Sequence, residues 1–261
     1  MQQNNMILKR DTMMIGNNNL MADYHQRRAR RQEKITAILH FLKDETYSTA
    51  EILSEVAQIR SVKHVYGLLN AMTTDGLLVV EKLTTGLSRA FNVYGITQHG
   101  IIMAMSEQDD PFKLRVFESS KINLNTLQHR LDTQKIRLSA KKQGYQWKAS
   151  HHLKLEKGQK YPDALMRGEG GIWAIEVERI AKSPRRYREI LELYLNQILT
   201  TGWSGVLYLF PNEALKLRVK RVFESVECVS IQGKTTPINS NILNKYFSFK
   251  TYQEFEVIER V

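Results

Sequence analysis

Cysteine is nearly absent from this sequence, and long apolar runs are missing. Cys228 is the one cysteine, which excludes a disulfide framework and any cysteine-rich zinc site. A single cysteine also fits a reducing compartment, so we expect a cytoplasmic protein. No apolar stretch approaches the roughly 20 residues that span a bilayer, and the N-terminal residues lack the apolar core of a secretory signal. We therefore expect no membrane insertion.

Acidic residues are also few relative to basic ones. The chain has 27 Asp and Glu against 38 Lys and Arg, a formal net charge of +11 and a pI near 9.6. That excess favours a polyanionic partner, nucleic acid first and an acidic membrane second. With 261 residues, of which 42% are hydrophobic, the chain is long enough for two domains with real cores.

Residues 1–30 are rich in Asn, Gln and Met and run into a basic cluster, R-R-A-R-R, over residues 27–31. We predict that residues 1–30 form a flexible basic leader. The cluster admits two interpretations, an arm that holds phosphates or the solvated end of a helix. The arginines concerned are Arg27, Arg28, Arg30 and Arg31.

Residues 31–105 carry the pattern of three helices, two strands and a further helix. This order is typical of a winged helix-turn-helix, whose third helix, over residues 61–73, would lie in the major groove of DNA. The alternative is that the same fold serves protein contact or dimerisation. The residues expected to contact DNA are Lys63, His64, Tyr66 and Asn70 from that helix and Lys82 and Arg89 from the wing.

Residues 106–120 form the predicted linker, since Asp109, Asp110 and Pro111 interrupt any helix. Residues 121–261 form the second predicted domain, which opens with an amphipathic helix over residues 123–142. His129 lies one position off the apolar stripe of that helix and is either a site residue or a structural or solvated one. The stripe consists of Leu124, Leu127, Leu131 and Leu138.

The rest of this domain mixes strands with helices. The predicted strands cover residues 147–150, 152–155, 162–166, 172–179, 205–210 and 227–231. The first two pair loosely, the next two form a hairpin around G-E-G-G, and the last is an edge strand. A helix over residues 183–200 lies between the hairpin and the apolar strand G-V-L-Y-L-F, an order that implies a parallel pair with a crossover. The predicted fold class is therefore α+β or α/β with a mixed sheet.

One face of this hairpin gathers carboxylates. Glu176 and Glu178 are two residues apart on a strand and so share a face, and hairpin pairing brings Asp163 beside Glu176. Carboxylates packed together repel one another unless a cation lies between them, and Mg²⁺ prefers such hard oxygen ligands. The pattern predicts a Mg²⁺ or Mn²⁺ site at these three residues that acts on a phosphodiester.

A basic helix start follows the second strand of the hairpin. Ser183 caps the helix, and Arg185, Arg186 and Arg188 near its start predict a phosphate-binding surface. Arg179, just before this helix, is a further expected DNA contact. Tyr187 belongs to the apolar face of the same helix. We consider it both a core residue and a candidate catalytic nucleophile.

The motif Y-P-D-A-L followed by I-E-V-E-R resembles the PD-(D/E)XK nuclease superfamily. Asp163 and Glu176 match the superfamily's motif, and Glu178 stands where it normally has a lysine. The resemblance implies that the lysine comes from elsewhere, as Lys182 or Lys160, or that the protein is a degenerate member that does not cut.

A narrower resemblance covers most of the chain. The predicted winged helix, followed by L-Q-H-R-L, Y-P-D-A-L, I-E-V-E-R, K-S-P-R-R-Y and G-V-L-Y-L-F, is similar to the replication-relaxation family and to MobC-type relaxases of mobilisable plasmids. The resemblance implies a restriction-endonuclease-like core that nicks DNA at a plasmid origin of transfer, with double-stranded and single-stranded DNA as partners. It gives Asp163, Glu176 and Glu178 catalytic or metal-binding roles and Lys182 an electrostatic one. An accessory mobilisation protein and a coupling protein are the further partners that this role suggests.

Two other functions remain open on the sequence alone. A plasmid replication initiator or transcriptional regulator would keep the DNA-binding fold without catalysis. A double-strand restriction or repair nuclease would yield linear plasmid rather than open circles.

Overall fold

The computed structural model describes residues 11–84 and 90–256, with side chains from residue 23 onward. The chain divides into two compact units, Met1–Ile122 and Asn123–Val261. Within the described residues, no helix combines the length and apolarity needed to cross a membrane.

The first unit consists of helices packed with a small antiparallel sheet, whose strand order is β1-β3-β2. Its elements are α1 (Asp11–Glu45), β1 (Tyr47–Thr49), α2 (Ala50–Val56), α3 (Val62–Thr74), β2 (Leu78–Leu83), β3 (Phe91–Ile96) and α4 (Gln98–Ala104). The predicted order of helices and strands is confirmed. The sheet has one strand more than predicted, namely β1. A strand of three residues is too short to show an alternating pattern in the sequence, so the sequence does not indicate it.

Two threonines define where helices of this unit begin. The hydroxyl oxygen of Thr49 accepts from the Ile52 N–H, and that of Thr97 accepts from the Gly100 N–H at 3.0 Å. Each cap satisfies a backbone donor that the first turn of a helix leaves unpaired. The start of α1 differs from the prediction of a leader over residues 1–30, since residues 11–30 are helical. This polar stretch lacks the apolar periodicity from which helices are recognised.

The core of the first unit joins α1, α2 and α3. Ile38 and Leu42 of α1, Leu53 of α2, and Leu69 and Met72 of α3 have essentially no exposed surface. Burying side chains of this size contributes about 1.5–3 kcal/mol each. The predicted linker is tied to the same unit: Phe117 packs edge-on against Tyr47, and its N–H donates to the carbonyl of Ile96 at 3.0 Å.

The second unit is built on a five-stranded mixed sheet with the order β10-β7-β6-β5-β4. Strands β4, β5 and β6 are antiparallel neighbours, whereas β6, β7 and β10 run parallel to one another. Its elements are α5 (Leu124–Lys142), β4 (Gln146–Ala149), β5 (Ala164–Gly168), β6 (Gly171–Val177), α6 (Pro184–Thr201), β7 (Gly205–Phe210), α7 (Glu213–Glu224), β8 (Cys228–Ile231), β9 (Lys234–Pro237), α8 (Ser240–Tyr246), β10 (Phe247–Thr251) and α9 (Tyr252–Glu256).

Helices cover both faces of this sheet. One core joins α6, α7 and α8 to β7, with Leu191, Phe223 and Phe247 among its members. The opposite core joins α5 and α9 to the sheet through Ile136, Ala140 and Phe255. The predicted hairpin and the parallel crossover from β6 through α6 to β7 are both confirmed. Because both faces are covered, β7 is buried along its whole length, which explains its unbroken apolar sequence.

Two predictions for this unit are wrong. Residues 152–155 form no strand, and β4 pairs with β5 instead. The predicted edge strand over residues 227–231 is present as β8, which forms a separate hairpin with β9. Leu124 is 50% exposed although it fits the apolar stripe of α5. It is the first residue of its helix, where the packing against the sheet has not yet begun.

Gly205 provides a test of this packing. A Cβ at this position would stand 2.5 Å from the carbonyl oxygen of Tyr246 and 2.8 Å from the Trp173 ring. We expect Gly205→Ala to lower the free energy of unfolding by about 1–3 kcal/mol. The measurement is urea unfolding followed by tryptophan fluorescence, because all three tryptophans of the chain lie in the second unit.

The matched control is Gly170→Ala in the β5–β6 turn, where a Cβ would meet nothing within 4 Å. Its effect should stay within about 0.5 kcal/mol. Equal unfolding midpoints for the two variants would contradict the close approach of β7 to the end of α8.

Candidate functional site

The β5–β6 hairpin places Asp163 beside Glu176. The pairing of Ala164 with Ile175 sets the register, and the Asp163 N–H donates to the Ile175 carbonyl at 2.9 Å. The Asp163 carboxylate in turn accepts from the Val177 N–H at 2.8 Å through Oδ2. The carboxylate is therefore fixed by the backbone of the neighbouring strand, as the hairpin pattern predicts.

Glu176 and Glu178 both reach the side of the sheet that α6 covers. Each is almost fully buried, with 7% and 6% of its surface exposed. Each accepts a hydrogen bond from a tyrosine hydroxyl of α6, Tyr194 for Glu176 and Tyr187 for Glu178, the latter at 3.3 Å. The alternation along β6 explains why both side chains point the same way while Val177 joins the opposite core.

The three predicted carboxylates line one open cleft of about 260 Å³. The turn after β6 adds Lys182 to this cleft, and the first turns of α5 add polar side chains from the other side. The lining residues are Asn125, Thr126, His129, Asp163, Glu176, Val177, Glu178, Arg179, Ile180 and Lys182. The hairpin and the adjoining turn thus bring together four of the five predicted catalytic residues.

A basic side chain stands against each carboxylate. The Lys160 ammonium lies 2.5 Å from Glu176 Oε1, the Lys182 ammonium pairs with Glu178 Oε2, and His129 Nε2 lies 3.1 Å from Asp163 Oδ1. As these side chains lie, the described part of the chain contains no group of three or more His, Cys, Asp or Glu placed to hold a metal ion. Each carboxylate of the site therefore already has a basic partner.

The donor set nevertheless fits a hard divalent cation in its chemistry. Lys160 and Tyr194 both bond Oε1 of Glu176, and Lys182 and Tyr187 both bond Oε2 of Glu178. The other oxygen of each glutamate accepts no hydrogen bond from any described residue. Carboxylate oxygens of this kind are what Mg²⁺ and Mn²⁺ prefer.

Burial has the largest effect on the pKa of Glu176. Desolvation raises the pKa of Glu176, the Lys160 ammonium opposes that rise, and the Asp163 carboxylate adds to it. The pKa of His129 is raised too, which for an imidazole favours the charged form. Its hydrogen bond to Asp163 raises its pKa above the usual 6.5, burial opposes the shift, and both Glu176 and Glu178 reinforce it.

Tyr187 lies in the core rather than in the cleft. Its ring packs against Phe223, its side chain has no exposed surface, and its hydroxyl faces Glu178. Burial raises its pKa well above the ordinary value of 10, so the phenol stays protonated and acts as a donor. Tyr194 is held in the same way, and burial raises its pKa also. The placement of Tyr187 suits the positioning of Glu178 better than nucleophilic attack.

Of the arginines expected to contact DNA in this unit, Arg179, Arg185 and Arg186 are paired with carboxylates. Arg179 bonds Asp132, a buried carboxylate of α5 that also accepts from Tyr252 at 3.1 Å. Arg185 and Arg186 both bond Glu189 one turn further along α6. Arg185 and Arg186 stay largely exposed, so their pairing with Glu189 is worth little and leaves them accessible to a phosphate.

In the first unit, one side of α3 is exposed and polar. Lys63, His64, Tyr66 and Asn70 all lie on it, whereas Val65 and Leu69 are buried. Lys82 is exposed on β2, and Arg27, Arg28, Arg30 and Arg31 are exposed on α1, where Arg27 pairs with Asp23. Arg89 falls outside the described residues.

Sequence reasoning missed the contribution of the first turns of α5. Asn125 and Thr126 lie three to four residues before His129, a spacing that places all three on one side of a helix. That spacing was the available signal. Nothing in the sequence indicated that this side of α5 would face the carboxylates, because the contact spans more than 30 residues.

Comparison with known proteins adds little. No family model and no curated protein matches the chain. Among solved structures, a match is an organohalide-sensing transcriptional regulator with 2,4-dichlorophenol bound, at 16% identity over 55% of this chain and 75% of that chain. Its TM-score is 0.24, too low to carry an argument about fold or function.

The pair of His129 and Asp163 yields a pH prediction. A raised imidazole pKa stabilises the fold fully below the usual pKa of 6.5, and this stabilisation is lost as the pH rises through the folded pKa. Asp163→Asn removes the main cause, so the pKa of His129 should fall. We expect NMR titration of the imidazole, assigned by comparison with His129→Gln, to show this decrease. Identical titration curves in the parent and Asp163→Asn would contradict the pairing.

Proposed function

We propose that this protein is a DNA-nicking enzyme of the plasmid relaxase kind, which binds duplex DNA with its first unit and cuts one strand with its second. The observation that carries the proposal is the meeting of Asp163, Glu176, Glu178 and Lys182 on one open cleft. Carboxylates beside a lysine in a basic protein match what phosphodiester hydrolysis requires. The role at a plasmid origin of transfer rests on the motif resemblance given above.

Some residues of the cleft provide carboxylates in fixed positions, and Lys182 provides positive charge. Asp163 and Glu176 are fixed by Val177 N–H and by Tyr194, so their oxygens need no reordering when substrate arrives. Lys182 reaches the cleft from the turn before α6 and offers its ammonium to the scissile phosphate. A Mg²⁺ or Mn²⁺ ion held by Asp163, Glu176 and Glu178 would supply the Lewis acidity that offsets charge on that phosphate.

Water suits this cleft as the nucleophile. The hydroxyl of Tyr187 is buried and donates to Glu178, and its pKa is raised, so a phenolate is costly at neutral pH. In the hydrolytic step the water oxygen bonds to phosphorus and gives up one proton, the P–O bond to the leaving strand breaks, and the leaving oxygen takes up one proton to become a hydroxyl.

The first unit supports the DNA-binding part of the proposal. Exposed Lys63, His64, Tyr66 and Asn70 on α3 suit a winged helix-turn-helix whose third helix enters the major groove. The exposed arginines of α1 add positive charge for the phosphate backbone.

A second candidate function is a DNA-binding regulator or replication initiator that does not cut. One observation favours it. Each carboxylate of the cleft already has a basic partner, Lys160, Lys182 or His129, as in a site that serves stability rather than chemistry. A double-strand restriction or repair nuclease is the third outcome of the test below.

Carboxamide variants test the catalytic assignment. We expect Asp163→Asn and Glu178→Gln each to slow conversion of supercoiled origin plasmid to open circles by at least about 100-fold, since each removes a carboxylate that would hold the cation offsetting charge on the phosphate. EDTA should stop the parent enzyme. The exposed Glu224→Gln on α7 is the matched control and should nick at the parental rate.

The product distinguishes the three functions. Open circles that need Asp163 support nicking, and linear plasmid supports a double-strand nuclease. Tight binding to the origin without conversion supports the regulator and contradicts the proposal. Equal nicking by the parent and both variants would contradict the site.

Variants of α3 test the DNA-binding assignment. Lys63→Ala should weaken binding to all sequences and reduce the slope of log affinity against log salt by about 1, as expected for one lost phosphate contact. Asn70→Ala should cost about 1–3 kcal/mol at one base position and relax the preference there. Lys113→Ala in the predicted linker removes another exposed lysine and is the control. Parental affinity and salt slope in Lys63→Ala would exclude α3 as the interface.

A further inference from the structure

The two lysines at the buried glutamates are held very differently. Lys160 is 19% exposed, its ammonium also donates to the Tyr161 carbonyl at 3.2 Å, and its main chain is bonded on both sides by the Gln197 amide. Lys182 is 40% exposed, and its ammonium hydrogen-bonds only Glu178 among the described residues. That ammonium also lies 5.8 Å from the centroid of the Tyr187 ring, and the main-chain N–H of Lys182 donates to the Tyr187 hydroxyl at 3.2 Å. The Lys160 ammonium therefore has two hydrogen-bond acceptors and little exposure, whereas the more exposed Lys182 ammonium has one acceptor.

The Lys182 ammonium and a divalent cation would compete for the negative charge of the Glu178 carboxylate. Glu178 is only 6% exposed, so its carboxylate needs a positive partner. Lys182 and Tyr187 bond Oε2, which leaves Oε1 without a hydrogen bond from any described residue. A cation at Oε1 would stand across one carboxylate from the ammonium, and the two positive charges would repel each other. With Lys182 in place, Glu178 is a weak cation ligand.

A DNA phosphate offers Lys182 an alternative partner. Lys182 lines the cleft from the turn that precedes α6, and a lysine ammonium moves readily on its four-carbon stem. A phosphate in the cleft would draw the ammonium from Glu178, so the lysine keeps an anionic partner throughout. Glu178 is then left with an uncompensated charge in a buried position, which a divalent cation neutralises.

We propose that Lys182 is a counter-ion switch that couples divalent-cation binding to DNA binding. Without DNA its ammonium neutralises Glu178 and keeps cation affinity low. With DNA it transfers to a phosphate, and the cation takes its place at Glu178. The coupling is reciprocal, so the cation strengthens DNA binding by the same factor. This inference rests on the proposed function, because it assumes that the cleft accepts DNA.

The coupling is measured by titrating Mn²⁺ into the full chain, followed by electron paramagnetic resonance, with and without a short mixed-sequence duplex at low salt. The duplex alone gives the Mn²⁺ that DNA binds by itself. For the parent protein we expect DNA to tighten Mn²⁺ binding by at least about tenfold, within the usual range of coupling between sites. Lys182→Met should bind Mn²⁺ at least about tenfold more tightly than the parent without DNA, and DNA should add little.

Three variants make the result specific. Lys182→Arg keeps the charge and should restore weak binding without DNA. Lys157→Met removes an exposed lysine that does not line the cleft and should behave as the parent. Lys160→Met should retain the DNA dependence, since the proposal keeps Lys160 on Glu176 with and without DNA in the parent and gives it no part in the switch. Circular dichroism of each variant confirms that the protein is folded.

The failures of the two proposals are distinguishable. If Lys182→Met and the parent bind Mn²⁺ equally without DNA, or if DNA leaves the parent's Mn²⁺ affinity unchanged, the switch is wrong while a metal-dependent nickase stands. If no variant binds Mn²⁺ in either condition, metal-dependent nicking fails together with the switch.

Discussion

The burial of Glu176 and Glu178 beneath α6 is the constraint on which the second unit depends. Two carboxylates in a nearly dry environment are stable only with positive charge and hydrogen-bond donors around them. Tyr187 and Tyr194 supply the donors, and Lys160 and Lys182 supply the charge. Apolar residues at both glutamate positions would pack without this requirement, so the two buried carboxylates cost stability and favour a functional role.

The sequence reveals the parts of this site that local rules determine. Alternation along β6 predicted a shared face for the two glutamates, and the hairpin predicted the approach of Asp163. The sequence offered Lys160, Lys182 and His129 as candidates beside these carboxylates, but which carboxylate each of them meets follows from tertiary structure and could not be predicted. Lys160 meets Glu176 across a loop, and His129 meets Asp163 across 34 residues. The same holds for β10, whose pairing with β7 depends on the whole second unit.

In the account we propose, the first unit recognises DNA and the second unit cuts it. The polar side of α3 offers contacts for bases and phosphates, while the cleft offers carboxylates fixed before substrate arrives. A resting site whose carboxylates already have basic partners would have a physical advantage for a nickase. It would stay poorly active until a phosphate enters, which limits damage to DNA that is only transiently touched.

The most direct test of this account is a crystal structure of the protein with Mn²⁺ and a DNA duplex, in which anomalous scattering locates the metal. The account predicts a Mn²⁺ peak within coordination distance of Asp163, Glu176 and Glu178, with the Lys182 ammonium on a phosphate. A cleft that contains DNA but no Mn²⁺, with Lys182 still paired to Glu178, would contradict it.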